Sequence, residues 1–187
     1  MKGYVSVFDY LLAEQEVDRS MFDRQIDFIM TEFAPVAQKF LKHVAKINGL
    51  EKMTFADWKL DLDSALNPDV TIDDAYELVM KSVAPLGEEY TREIANYQKE
   101  RWVDFAANAG KDSGGYATDP YRVHPYVLMS WTDRMSDVYT LIHEIGHSGQ
   151  FIFSDNSQSY FNTHMSTYYV EAPSTFNELL LSDYLEH

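Results

Sequence analysis

The sequence predicts a mainly α chain with one small β element. Apolar residues recur at steps of three and four through most of it, a single short run is rich in β-formers, and Gly- and Asp-rich stretches separate the helical patterns. With 187 residues, 45% of them apolar, the chain is long enough for one domain with a real core. No internal repeat, low-complexity tract or dividing linker interrupts it, so one domain over residues 1–187 is expected.

The elements follow in order. The start, MKGYVSVFDYLLAEQE, breaks its short apolar stretch at Asp9 and reads as neither signal peptide nor span. After Asp18, the residues Phe22, Ile26, Ile29, Phe33, Val36, Phe40, Val44 and Ile47 share one helix face. Asn48 and Gly49 terminate that helix, and Pro35 should kink it because it lacks a backbone donor. About 29 residues at 1.5 Å each make a rod of roughly 43 Å, long enough to be a wall of something larger. An Asp-rich connector with Asn67 and Pro68 comes next. Thr71 and Asp74 then form an N-terminal capping pair for a helix carrying Ala75, Leu78, Val79 and Val83. Pro85 suits the first turn of another helix running toward Glu100. From Ala106 to Tyr121 the text is loop chemistry, and residues 124–131, HPYVLMSW, are the one strand candidate. Thr132 or Asp133 caps a helix with Val138, Leu141, Ile142 and Ile145 on its apolar side. A polar stretch follows, and a last helix runs from about Pro173 to Leu185.

Charge and composition exclude several function classes. Fifteen Lys and Arg against thirty Asp and Glu leave a net charge of −15, which repels a phosphate backbone, so no nucleic-acid partner is expected. No apolar run approaches the roughly 20 residues of a membrane span, so no membrane association is expected and a cytoplasmic location is the simple expectation. The chain has no cysteine, which removes disulfides and thiolate chemistry and leaves any metal to nitrogen and oxygen donors. The aromatic content, 14% with 13 tyrosines, reads as helical-domain packing ahead of a peptide cleft.

The chemistry concentrates in His143-Glu144-Ile145-Gly146-His147, an HExxH sequence within a predicted helix. Four residues advance a helix by about 400°, so His143 and His147 project from one face and can share a tetrahedral metal. Glu144 lies one step round, where its carboxylate reaches a metal-bound water without ligating the metal, as a general base requires. With six histidines in the chain, an accidental HExxH is roughly a one or two per cent event. A third histidine at the extended spacing is absent, since Phe153 occupies that place. Glu171, 24 residues after His147, is the chosen third ligand, giving a His₂Glu set. Glu178, seven residues later on nearly the same face, is placed to contact a ligating imidazole or else to lie in solvent.

HEIGHSGQ followed by YYVEAPSTFNELL resembles the M3 family of zinc oligopeptidases, of the oligoendopeptidase F and thimet oligopeptidase type. The GKDSGGY loop, HPYVLMSW and TDRMSDVYTLIHEIGH resemble its bacterial branch. The resemblance implies a helical zincin-type catalytic domain with an HExxH helix and a Glu-bearing helix around a deep channel for short unfolded peptides. It implies one zinc per chain held by His143, His147 and Glu171, with Glu144 as base. Family members are several hundred residues long and carry a further His and tyrosines downstream that hold the substrate carbonyl and its oxyanion. The chain therefore resembles a catalytic-domain fragment without the N-terminal helical lobe and that downstream segment. A missing oxyanion donor costs roughly two to four kcal/mol of transition-state stabilisation.

The expected function is a zinc metalloendopeptidase, an oligoendopeptidase hydrolysing short peptides. The alternatives are a non-catalytic metal-binding or structural fragment, and a helical interaction module with a chance motif. Asp137 and Asp183 are further partners for a ligand imidazole, and the 124–131 strand is an expected edge for an extended peptide. His164 reads as a polar loop residue, His43 as a surface residue and His124 as structural. The Gly110–Gly115 loop reads as a mobile segment beside the cleft, with no phosphate-binding pattern.

Overall fold

The computed structural model describes residues 3–60, 62–63 and 67–187. It divides into two compact units, Met1–Asn67 and Pro68–His187. Asp61 and residues 64–66 of the Asp-rich connector lie outside the described residues.

In the first unit, Ser6 accepts the Asp9 N–H and starts α1, Val7–Glu14. Asp18 accepts the Met21 N–H at 2.7 Å and starts α2, Arg19–Phe28. A π turn, Ile29–Phe33, leads directly into α3, Ala34–Ile47, and the Ala34 N–H bonds the Ile29 carbonyl. The wide turn sits one residue ahead of Pro35 because proline has no N–H for the Thr31 carbonyl and its ring crowds that turn. The long helix expected after Asp18 is thus two helices joined through a wide turn. Asn48 and Gly49 end it as expected: the Asn48 amide donates to Val44 O, and Gly49 has φ +65°. The apolar stripe does not behave as a core face. Val44 is buried, whereas Ile26, Ile29, Phe33, Val36, Phe40 and Ile47 are exposed.

In the second unit, Thr71 accepts the Asp74 N–H and its hydroxyl donates to the Asp74 carboxylate at 2.6 Å, starting α4, Ile72–Ser82. The helix expected from Pro85 to Glu100 is shorter. Pro85 lies in a 3₁₀ turn, Ala84–Leu86, Gly87 at φ +93° breaks the chain direction, and α5 spans Glu88–Ile94. A three-stranded sheet follows, ordered β1-β3-β2, from β1, Val103–Asp104, β2, Gly115–Thr118, and β3, Tyr126–Met129. β3 pairs parallel with β1, Val103 opposite Val127, and antiparallel with β2, Tyr116 opposite Leu128.

Two helices complete the unit, α6, Met135–Ser157, and α7, Thr167–Glu186. The Asp137 carboxylate accepts the Thr132 and Arg134 N–H groups and so caps α6, rather than meeting an imidazole. Pro173 lies inside α7, which begins about two turns earlier than the sequence predicts. The core joins Ala75 and Val79 of α4 and Val83 just beyond it to Val138, Leu141, Ile142 and Ile145 of α6, Leu181 of α7 and Val127 and Met129 of β3. Side chains of this size stabilise by about 1.5–3 kcal/mol each when fully buried. The mainly helical class with a small β element is therefore correct.

Candidate metal centre

The pairing of α6 with α7 builds the site. A Cβ added at Gly146 would meet Ser174 Cα at 2.6 Å and Pro173 O at 2.9 Å, so only glycine lets the two backbones approach this closely. Gly149 has the same role toward Tyr90, whose ring atom Cε2 lies 2.5 Å from the corresponding position. Buried Asn177 locks the arrangement, its amide donating to Tyr90 Oη at 2.9 Å and to Ile142 O at 3.2 Å.

This packing carries Glu171 to the exposed side of the HExxH turn. His143 Nε2 is 3.2 Å and His147 Nε2 3.3 Å from the same oxygen, Glu171 Oε2. The donor atoms of these three residues lie within 4.8 Å of one another, the one such group among the described residues. Ser174 Oγ donates to the same Glu171 oxygen at 3.0 Å. On the other side of the His143 ring, Nδ1 is 2.6 Å from Glu178 Oε1. A carboxylate only accepts, so Nδ1 carries a proton toward Glu178, and Nε2 is the ring atom that faces Glu171. The expected role of Glu178 beside an imidazole is met. Asp183 instead lies 3.9 Å from His187.

The electrostatics suit a cation. Burial pushes the His147 imidazole below its ordinary range, against the pull of Glu171. A neutral imidazole is the ligating form. Glu144 is 5% exposed, and Oε2 has no hydrogen-bond partner among the described residues. Burial pushes its carboxyl above the ordinary range; the His143 charge opposes this, Glu171 adds to it, and the Ala117 amide opposes it. Two imidazole nitrogens and a carboxylate converging beside an unpartnered carboxylate form a donor set that fits a zinc ion.

The β2 edge reaches this point. The Gly114 carbonyl accepts from Ser130 N–H, and Tyr116 faces Leu128 in the ladder. The alternating groups of Gly115 and Ala117 therefore point away from β3. Ala117 N–H accordingly hydrogen-bonds to Glu144, and a Cβ on Gly115 would press on Thr140 and Glu144. The expectation of a free edge on the 124–131 strand is corrected: β3 is the middle strand, paired on both sides. Gly115 and Tyr116, expected in a mobile loop, are strand residues. Sequence reasoning missed Gly115, Ala117, Gly146, Ser174 and Asn177. Their roles are contacts across the fold, although Gly146 stands inside HEIGH, Ser174 and Asn177 inside EAPSTFNE and Gly115 inside GKDSGGY.

The remaining histidines stay away from the three donors. His43 is exposed. His124 stacks on Trp102 with ring centroids 5.5 Å apart, as a structural residue would. His164 lines a cavity beyond Phe151.

The model of peptidase family M3 matches residues 1–187, the whole chain. The chain belongs to peptidase family M3. Among M3 relatives, "Oligopeptidase PepF" of Bacillus subtilis is 30% identical over 185 residues, covering 99% of this chain and 28% of that protein. "Oligoendopeptidase F homolog" of Borreliella burgdorferi is 30% identical over 186 residues, covering 98% and 31%. The solved structure of "PZ peptidase A with inhibitor 2" superposes with a TM-score of 0.82 at 20% identity, over 98% of this chain and 34% of that one. The chain thus spans about three-tenths of the length of the M3 relatives it matches, and it shares the fold of that part. No helix among the described residues is long and apolar enough to cross a membrane.

Proposed function

We propose that this M3 chain is the metal-binding portion of a zinc-dependent endopeptidase that hydrolyses short oligopeptides, with residues 1–187 forming one partial catalytic domain. The observation that carries the proposal is the approach of His143 Nε2 and His147 Nε2 to one oxygen of Glu171 at 3.2 and 3.3 Å. These three residues would hold one zinc per chain. Zinc bound there supplies Lewis-acid polarisation of a carbonyl and acidification of water. Glu178 orients the His143 ring by taking its Nδ1 proton in a hydrogen bond, and Ser174 steadies Glu171.

Glu144 is the general base. Its unpartnered Oε2 takes a proton from the water that attacks the scissile carbonyl, and the resulting carboxylic acid delivers that proton to the leaving amine. Burial raises its affinity for the proton, which serves the first half of this cycle, the uptake from water. The outward groups of Gly115 and the Ala117 carbonyl pair with an extended peptide and hold its scissile bond beside Glu144. The partner is a short peptide.

The test is Glu144→Gln. The variant is expected to keep one equivalent of zinc and to lose peptide cleavage by at least about 10³-fold. Unchanged cleavage removes the mechanism. One zinc per chain without cleavage by the unmodified protein would favour the non-catalytic metal-binding alternative.

A further inference from the structure

A cavity of about 600 Å³ adjoins the three donors. Two lining residues tie it to them and a third ties it to Glu144. Phe151 stacks on His147 with ring centroids 6.1 Å apart, Val170 precedes Glu171, and Ala117 hydrogen-bonds to Glu144 through its N–H. The cavity therefore opens at the C-terminal end of the outward β2 edge. A peptide extended along that edge sends alternate side chains to one side, so a residue near the scissile bond is presented to this space.

The chemistry of the walls selects among side chains. Tyr160 and Phe161 are exposed at the rim. Asp119 follows β2 directly and is half-buried, and no lysine or arginine lines the cavity. Arg122 lies over the Tyr121 ring at 5.2 Å and is not among the lining residues. The groups whose charge reaches Asp119 are Asp155, which repels it, and His164, which attracts it. Asp155 is itself buried; Oδ2 accepts the Arg122 N–H at 2.6 Å, and Oδ1 has no hydrogen-bond partner among the described residues. Two carboxylates thus stand against one imidazole. Burial, with Asp155, holds the Asp119 carboxyl above its ordinary range.

We propose that this cavity is a substrate subsite that reads a positively charged side chain, arginine or lysine, with Asp119 accepting the charge. The inference rests on the peptidase reading above. An acidic side chain would bring a second carboxylate beside Asp119, and an aliphatic one would leave Asp119 desolvated and unpaired. A guanidinium satisfies Asp119 and stacks on the aromatic rim.

The experiment is an arginine scan through N-acetylated, C-amidated alanine-rich pentapeptides, with glutamine and glutamate scans beside it. Binding is measured by isothermal titration to the zinc-loaded protein carrying Glu144→Gln, so that no peptide is consumed. At one position arginine is expected to bind about tenfold tighter than glutamine, and glutamate weakest. Asp119→Asn is expected to reduce that preference to about threefold or less. His164→Lys, an exposed substitution that places a permanent cation at the cavity, is expected to do the same and covers the case in which Asp119→Asn fails to fold. No binding, no position with a preference, or a preference that survives both substitutions overturns the subsite. Cleavage of the same peptides by the unmodified protein is read separately. Arginine-selective binding without cleavage removes the peptidase chemistry and keeps the subsite, whereas cleavage indifferent to arginine does the reverse.

Discussion

Glu144 combines a buried position with an unpartnered oxygen, and the chemistry proposed for it opposes stability. Its carboxyl is held above the ordinary value of 4.5 by burial. A group whose folded pKa is raised contributes stability below its unfolded value and loses it as pH rises through the folded value. At neutral pH the metal-free protein therefore carries the cost of a desolvated carboxylate. Glu144→Gln is expected to raise the melting temperature of the metal-free protein at pH 7 by about 2–4 °C, equivalent to about 1 kcal/mol. The gain should vanish below about pH 4.5, where the wild-type carboxyl is protonated in both states. A melting series from pH 4 to 8 reads it, and a gain independent of pH would contradict the assignment. At the same scale, Glu178→Ala removes the acceptor that sets the His143 tautomer. Zinc affinity is expected to fall about 10–100-fold in a competition titration, with the melting temperature of the metal-free protein little changed. His143, His147 and Glu144 were legible in the sequence because their relation is helical periodicity alone. Glu178 was legible only as one of two options, since nothing local says which face of α7 meets α6.

At the scale of elements, the α6–α7 contact decides whether two histidines become three donors. Gly146 permits it, because a methyl group at that position would stand only 2.6 Å from Ser174 Cα. Gly146→Ala is expected to cost about 1–3 kcal/mol of stability through overpacking and to weaken zinc binding as Glu171 is displaced. Thermal melts with a zinc titration check both effects. Normal zinc affinity in a destabilised variant would show that Glu171 is held by something other than this packing. The strand content was the least legible part. β1 has two residues and β2 reads Gly-Tyr-Ala-Thr, so neither carries a local β signal; both exist because β3 gives them ladder partners. Their order then moved the candidate peptide-binding edge from β3 to β2.

At the scale of the whole molecule, the chain combines a net charge of −15 with a row of exposed apolar side chains on α2 and α3. Phe33 and Phe40 are 59% and 53% exposed. The protein is expected to bind an environment-sensitive hydrophobic dye in its folded state, and Phe33→Glu with Phe40→Glu should abolish most of that signal without lowering the melting temperature. A lower melting temperature would mean that the row is packed in solution. The sequence predicted this stripe correctly as a helical face and incorrectly as a core face, because periodicity reports which residues share a side and not what covers it. By itself the sequence determined the helical class, the His143–His147 pair and the carboxylate beside it, all set by spacing within one helix. The tertiary structure showed that Glu171, chosen from the sequence, lies beside both imidazoles, and it alone decided that Glu178 meets His143 and that β2 offers the open edge. Those relations join residues 24 to 35 positions apart or on different elements, and side-chain packing between helices, with ladder bonds between strands, is what brings them together.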